Sequence, residues 1–551
     1  MFFKTEENNQ LSIFSAASSF LSGRSLREYA SRTAWHNQFR VQVTYRIDEE
    51  IFRPLFCADN GASNSSIRVL IGMMVLKEAQ GWSDAQLFEA CRYNLLVRSA
   101  LGLHNLDDTV SSESTYYLLR KRVVEWEKAH NENLIELAFS QITKSQIVDF
   151  EINGKQIRLD SKLLGSNIAW YSRYELVHEA LRAAYPFIKS ALHRLSLCES
   201  EVNGLENIVS ESGNKVSYRS NKAEIESKMA ELGVLIGKII SRINDDSSEE
   251  VQTLRRVFSE QYIVNEADIN PRAKAEISAS SVQSPHDTDC TYRDKDGNRV
   301  KGYSINLTET CSSENPLNLI TNVLVDVASA ADCDFLQPAI EASQEILPQK
   351  IEIVNADGAY HSPENQDYCT ENTIDFVLGA IQGKPPQYDL SLNEGELIVT
   401  DLKTNEIIPT TAIKSRKKDI VKWRIVTANG QYRYFSENEI NTCLLRKNIT
   451  KRTKEELNVR NNVESTVFQL GYHYPNDKSR YRGLSKHKIW ANLRCLWVNF
   501  SRILKFIVQN GSIFVKKVKN TPVFPHFSPN FVETAIAIRT DKNFCYIGRK
   551  K

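Results

Sequence analysis

The chain has 551 residues, 41% of them hydrophobic and 25% charged, with 22 glycines and 15 prolines. That is ordinary globular composition, and it excludes wholesale disorder, a collagen-like repeat and a small disulfide-stapled scaffold. The 69 Lys and Arg balance the 68 Asp and Glu overall, but residues 401–551 hold 30 basic and 11 acidic residues (+19), leaving 39 and 57 (−18) for the first 400. A basic bias sustained over the last 151 residues points to a polyanion-binding C-terminal third.

The length suits three or four domains of about 150 residues. Ten scattered cysteines with no Cys-x2-Cys pair give no thiolate zinc site and no disulfide framework. The N-terminus, MFFKTEENNQLSIF, lacks a basic n-region and a long apolar h-region. The most apolar runs, such as 69–75 and 503–508, are too short to cross a bilayer. We therefore expect a cytoplasmic protein with no membrane partner.

Residues 24–58 mix charged and aromatic side chains. The segment 65–101 reads as two helices. Ser65 or Ser66 caps the first, Val69, Leu70, Met73, Met74 and Leu76 form its apolar face, and Gly81 ends it. Ser83-Asp84 opens the second, with Leu87, Phe88, Cys91, Leu95 and Leu96 inward. SSESTYYLLRKRVVEWEK (111–128) is a third helix behind a capping cluster. Residues 1–150 thus read as an N-terminal helical, DNA-binding domain that could carry a helix-turn-helix. Helical packing without nucleic acid gives the same local pattern.

KQIRLDSKLL (155–164) is strand-like and then polar, with the strand run, near 155–160, ending at Asp160. Residues 171–284 read as a helical insertion, in which Ile225, Met229, Leu232, Leu235, Ile236 and Ile239 keep the spacing of a coiled-coil-like pair. From 300 the pattern becomes α/β: 300–311 and 317–329 are antiparallel strands, 333–347 a helix, 350–360 a buried strand ending in Asp357-Gly358, and 373–381 another strand. Residues 388–445 alternate in β fashion with an Asn429-Gly430 hairpin turn. Residues 446–510 are helical and basic, and 511–551 form a basic tail.

Asp160 and Asp357 each end an apolar strand, a common way of holding a divalent metal in an α/β sheet. Mg²⁺ prefers one or two carboxylates plus waters and phosphate oxygens. Either aspartate alone reads as a turn former rather than a ligand. Together they carry a resemblance. LDSKLLGSNIAW with Asp160, SPHDTDCTYRDKDGNRVKGYSINL (284–307), VNADGAYHSPEN with Asp357, and the helical stretch 51–103 resemble the DDE transposases of bacterial insertion sequences, in particular insertion-sequence family eleven eighty-two. The resemblance runs from about residue 45 to about 505.

It implies an α/β fold with an RNase H-like core, a mixed five-stranded sheet with flanking helices. That core would occupy 151–170 and 285–387, and the β-rich insertion 388–445 would separate it from C-terminal helices at 446–510. Glu464 in VRNNVESTVFQL is the implied third carboxylate, with Glu455 and Glu456 as rivals. Arg460 and Glu464 fit the Arg-x3-Glu part of the family's Tyr-x2-Arg-x3-Glu-x6-Lys motif, whereas Leu457 and Gly471 stand where Tyr and Lys would be. Four-residue spacing puts Arg460 and Glu464 on one helical face, where a plain surface ion pair is the alternative.

The implied reaction is DNA transposition: Mg²⁺-dependent (or Mn²⁺-dependent) cleavage at a transposon end, then attack of the 3′-OH on target DNA. Asp160, Asp357 and Glu464 would be the catalytic metal ligands, working in at least a homodimer on double-stranded DNA. Candidate DNA-binding residues are Arg460, Lys414, Arg416, Lys417 and Lys418 in KSRKK, and Lys478, Arg480, Arg482, Lys486 and Lys488 in KSRYRGLSKHK. RKNITKRTK (446–454) and KKVK (516–519) are further basic elements. Tyr481, Trp490 and Trp497 lie among them, which would allow base stacking near a frayed end, although Trp497, in the nearly all-apolar LWVNF (496–500), better suits a helix core. A nuclease without strand transfer and a catalytically inactive DNA-binding relative are the competing readings.

Overall fold

The computed structural model describes residues 2–5, 20–57, 63–105, 108–191, 198–243, 248–265, 268–295, 297–381, 386–393, 396–414, 421–427 and 429–517. The N-terminal part comprises α1 (Gly23–Tyr29), α2 (Trp35–Gln42), α3 (Ile67–Gln80), α4 (Asp84–Tyr93), α5 (Leu95–Ala100), α6 (Glu113–His130) and α7 (Leu134–Asp149). Ser66 caps α3 by accepting from the Val69 N–H, and Gly81 closes it at φ 65°. Every residue of α3 except Gln80 is buried, as in a helix enclosed on all sides. The stretch expected to hold two helices holds three. Asn94 is extended and its side chain accepts from the Leu96 and Val97 N–H groups, which ends α4 and starts α5.

The chain then enters β1 (Gln156–Gly165), followed by α8 (Arg173–Ala191), α9 (Glu199–Ser210), α10 (Gly213–Arg219), α11 (Lys222–Ile240), α12 (Glu249–Gln261) and the hairpin β2 (Tyr262–Val264) with β3 (Ile269–Pro271). These helices are not a two-helix coiled coil. Leu181 and Ile188 of α8, Leu232 and Ile236 of α11 and Leu254 of α12 share one core, because α8 offers its apolar stripe to more than one partner.

Next come β4 (Thr291–Lys295), β5 (Asn298–Thr310), β6 (Ile320–Val327), α13 (Leu336–Ile346), β7 (Ile353–Ala356), α14 (Pro363–Glu371) and β8 (Asp375–Leu378). All five expected strands of the main sheet form, β1 among them. The sixth, β4, is too charged to read as a strand, and pairing with the start of β5 supplies its backbone partners. The sheet order is β4-β5-β1-β7-β8, with β6 also pairing β5. β5 is antiparallel to β1, β4 and β6, whereas β7 is parallel to β1 and β8. Asp160 lies inside β1 rather than at its end, because residues 161–165 continue the ladder opposite 302–306 of β5.

Two small sheets follow, β9 (Tyr388–Asn393), β10 (Glu396–Asp401) and β11 (Ile407–Ile408), then β12 (Thr411–Lys414), β13 (Val421–Val426) and β14 (Tyr432–Phe435). Leu390, Val399, Trp423, Ile425 and Phe435 join them in one core with Ile440 of α15 (Glu437–Lys451). The chain ends in α16 (Lys454–Asn458), a 3-10 turn (Arg460–Asn462), α17 (Val463–Gly471) and α18 (Leu484–Lys517), which kinks at Asn510.

α18 is the spine of the molecule. Phe500 meets Phe39 of α2 edge-on at 5.2 Å. The Asn499 amide accepts from the Ile320 N–H at 2.8 Å and donates to its carbonyl at 2.9 Å, fixing β6. Apolar residues of α2, α3, α6, α7, β5, β6 and α18 therefore form one continuous core. Trp490 is only 1% exposed and packs on Tyr474, and the Tyr481 hydroxyl donates to Glu78. Trp497 packs against Phe39 and Phe500. The expected base-stacking aromatics thus make their contacts within the protein, Trp490 on Tyr474, Trp497 between α2 and α18, and Tyr481 against Glu78 of α3. Among the described residues no helix is long and apolar enough to cross a membrane.

Candidate active site

β1 and β7 are parallel neighbours with Arg158 opposite Asn355. Carried two residues further, that register brings Asp160 level with Asp357, the residue that follows β7. Arg460, from the turn before α17, reaches both: its Nη2 is 3.6 Å from Asp160 Oδ2 and 3.7 Å from Asp357 Oδ2. These are charge contacts longer than hydrogen bonds. The Arg460 Nε is buried with no hydrogen-bond partner among the described residues. The guanidinium is therefore a loosely held counterion between two carboxylates.

Each aspartate is oriented by its own backbone. The Ser161 N–H donates to Asp160 Oδ1 at 2.8 Å, and the Gly358 N–H donates to Asp357 Oδ1 at 2.7 Å. Both Oδ2 atoms are left to face Arg460. The Asp-Gly pair is no hairpin turn. A Cβ on residue 358 would stand 1.8 Å from the Ala380 carbonyl oxygen, so only glycine lets the two backbones approach here. Burial pushes the Asp160 carboxyl above the usual carboxylate range, against the opposing pull of Arg460. Two carboxylates converging on one cationic atom suit a divalent ion that takes one or two carboxylates and keeps water. Among the described residues no group of three His, Cys, Asp or Glu side chains is placed to hold a metal ion.

Below the pair lies a buried charge cluster that the sequence reading did not single out. Glu309 of β5 is 0% exposed. Its Oε1 accepts from Arg158 Nε at 2.6 Å, and its Oε2 accepts from Arg502 Nη1 at 2.7 Å and Thr466 Oγ1 at 2.9 Å. Arg158 Nη1 also donates to the Val459 carbonyl at 2.8 Å. The segment carrying Arg460 and Glu464 is thus fastened on both sides, at Val459 and at Thr466. The alternation Arg158, Asp160, Lys162 within RLDSK is the signal that could have revealed this polar face of β1.

Glu464 sits in the first turn of α17, exposed, with no ion pair or side-chain hydrogen bond among the described residues. The surface ion pair with Arg460 does not form, because Arg460 turns to the aspartates. Of the rivals, Glu456 is committed to the capping box with Thr453, while Glu455 is exposed on α16.

The expected DNA-binding residues divide. Lys486 is exposed. Lys478 Nζ donates to the Ile168 carbonyl at 2.8 Å, Arg480 Nη1 to Trp82 at 3.0 Å and Arg482 Nε to Asn167 at 2.7 Å, although all three residues are exposed. Lys488 pairs with the buried Glu127 at 3.3 Å. Lys414 ends β12, and Arg416, Lys417 and Lys418 lie outside the described residues, as do 518 and 519 of KKVK.

Asp287 and Asp289, within the 284–307 stretch, prove to be fastenings. Asp287, 3% exposed, accepts from the hydroxyls of Ser166 and of Tyr303, the latter at 2.6 Å, and Asp289 accepts from the Leu484 N–H at the start of α18. Beside Asp160 opens a cleft of about 310 Å³ lined by Lys162, Arg293, Lys295, Asn298 and Asp477. Lys162 Nζ lies 2.8 Å from where a Cβ on residue 471 would stand, so the position holding glycine is filled by a lysine from β1.

Residues 28–122 match the family model described as Transposase domain (DUF772), which supports reading the protein as a transposase. No curated protein sequence matches the chain. Among solved structures, a piggyBac transposase synaptic complex with hairpin DNA, determined by cryo-EM, is similar at 8% identity and a TM-score of 0.29, over 91% of this chain and 84% of that one. The two backbones diverge too far for residues to be carried from one to the other.

Proposed function

We propose that the protein is a DDE transposase, in which Asp160, Asp357 and Glu464 hold Mg²⁺ or Mn²⁺ for phosphoryl transfer on DNA. The observation that carries this is the convergence of Asp160 and Asp357 on Arg460, at 3.6 and 3.7 Å, in a chain bearing a transposase-domain match. An RNase H-like core is supported by the strand order β6-β5-β1-β7-β8, antiparallel on one side of β1 and parallel on the other. Bound divalent metal supplies charge neutralisation at the scissile phosphate and activation of the attacking water or 3′-hydroxyl.

The residues of the chain have three tasks in this reading. Asp160 and Asp357 present one free carboxylate oxygen each, fixed by the Ser161 and Gly358 N–H groups. Arg460 neutralises them in the metal-free protein, and would be free to meet phosphate if a divalent ion were held by the two aspartates. Glu464 approaches from α17, whose position is set through Thr466. Exposed Lys486 and the neighbouring basic residues neutralise DNA phosphates, and DNA-bound chains assemble at least as dimers. The site of action is the cytoplasm.

The test is cleavage and joining of the DNA ends that flank the gene, in Mg²⁺, by wild type and by Asp160→Ala, Asp357→Ala and Glu464→Gln. Wild type is expected to cut and join, and all three variants to bind but not cut. Cutting without joining points to a nuclease, and binding without cutting by wild type points to an inactive relative. Full activity in Asp160→Ala and Asp357→Ala overturns the site.

A further inference from the structure

The cleft beside Asp160 has walls that carry Lys162, Arg293 and Lys295. Lys162 lies two residues beyond Asp160 on the same side of β1, about 6.6 Å further along the strand. Its Nζ is 2.6 Å from Asp477 Oδ1. That carboxylate is presented by an unusual turn: His473, Asn476 and Asp477 have φ of 74°, 58° and 47°, three left-handed non-glycine residues within five positions. Such conformations cost free energy and persist where the surroundings over-determine them. Here they hold an exposed acid against a lysine that is 14% exposed.

Opposite, the β4–β5 hairpin contributes Arg293, Lys295 and Asn298. Arg293 is fixed by Asp332 at 3.2 Å and by the Ala330 carbonyl at 2.9 Å. Lys295 is exposed and has no acidic partner among the described residues.

We propose that this cleft seats a backbone phosphate of the DNA strand next to the one at Asp160 and Asp357, with Lys162 and Lys295 as its positioning residues. Asp477 is the stand-in anion that holds Lys162 in place until phosphate replaces it. The proposal rests on the DNA phosphoryl-transfer reading of the site. It adds residues outside the 446–510 basic stretch, and it gives the lysine beside Gly471 a task. Two lysines and an amide facing a polar cleft beside a transfer centre suit a phosphodiester, which neutralises both charges and accepts their hydrogen bonds.

The experiment measures binding of the full chain to a 30-base-pair duplex of arbitrary sequence across a salt series, with thermal melting as a fold control. K162Q and K295Q are each expected to lower the slope of log affinity against log salt by about 0.9, the loss of one phosphate contact. K162R should restore it. D477N, which keeps a residue tolerant of the left-handed conformation, should tighten binding severalfold. K222Q, on an exposed lysine of α11, should leave the slope unchanged. Wild-type slopes in K162Q and K295Q, or weaker binding by D477N, overturn the seat while leaving the site at Asp160 intact. A wild-type chain that binds no duplex at low salt overturns the transposase reading and the seat with it.

Discussion

Arg158 and Glu309 face each other across β1 and β5, with the Nε and Nη2 of the arginine both 2.6 Å from one carboxylate oxygen. Glu309 is fully buried and also serves Arg502 and Thr466, so removing its charge strands two arginines in the interior. Breaking one partner of a buried pair costs about 3–5 kcal/mol. Glu309→Gln is therefore expected to lower the urea midpoint markedly, whereas Glu314→Gln at an exposed position should not. An unchanged midpoint in Glu309→Gln would show that the cluster carries no such burden.

Thr466→Val removes only the hydroxyl that links α17 to Glu309 and Arg502. Loss of one such hydrogen bond costs about 1 kcal/mol of stability. We expect a larger relative loss of DNA cleavage, rescue by Thr466→Ser, and no further loss when Thr466→Val is added to Glu464→Gln. Independent, multiplicative effects in the double variant would separate Thr466 from Glu464.

The strands were legible because apolar runs bounded by polar turns are local, and Asp160 and Asp357 stood out as carboxylates closing such runs. The length of β1 was not legible: SKLLG has no strand pattern of its own and is held by pairing with 302–306. Arg460 was placed beside Glu464 by helical spacing, but the turn at Arg460–Asn462 lets its guanidinium reach across to two strands. Glu309 was hidden for the opposite reason. It lies within a buried strand, and its partners Arg158 and Arg502 are 151 and 193 residues away in sequence.

Asp160 gives a pH prediction with a definite sign. Its carboxyl is raised above the ordinary range, mainly by burial. The folded state therefore holds that proton more tightly than the unfolded state, and stability is lost as pH rises from the ordinary Asp value through the raised one. Metal-free Asp160→Asn should melt higher than wild type at pH 7, and the gap should close as pH falls toward about 4. A gap that stays constant with pH would assign the gain to something other than this carboxyl.

Two buried histidines act in the other direction. Burial pushes His36 and His487 down to about 4, with His36 beside Ser99 Oγ and His487 between Ser479 Oγ and the Gly483 carbonyl. Both are neutral in the folded protein at pH 7, and the stability they contribute is lost as pH falls from 6.5 through about 4. Urea unfolding at a series of pH values should show this acid limb, and His36→Gln should flatten it.

Lys486 and Lys488 should behave differently although both lie in one basic run. Lys486→Gln is expected to reduce the salt slope of DNA binding by about 0.9 with no change in melting. Lys488→Gln leaves the buried Glu127 without its cation and should lower the melting temperature. The reverse pattern would place Lys488 rather than Lys486 on DNA.

If Asp160 and Asp357 together hold one divalent ion, calorimetric titration of Mn²⁺ into the full-length chain, with Asp160→Asn, Asp357→Asn and Arg460→Gln alongside, reads it out. Saturable binding is expected in wild type, its loss in both aspartate variants, and tighter binding in Arg460→Gln, where the competing guanidinium is gone. Mn²⁺ binding of wild-type affinity in either aspartate variant would contradict it.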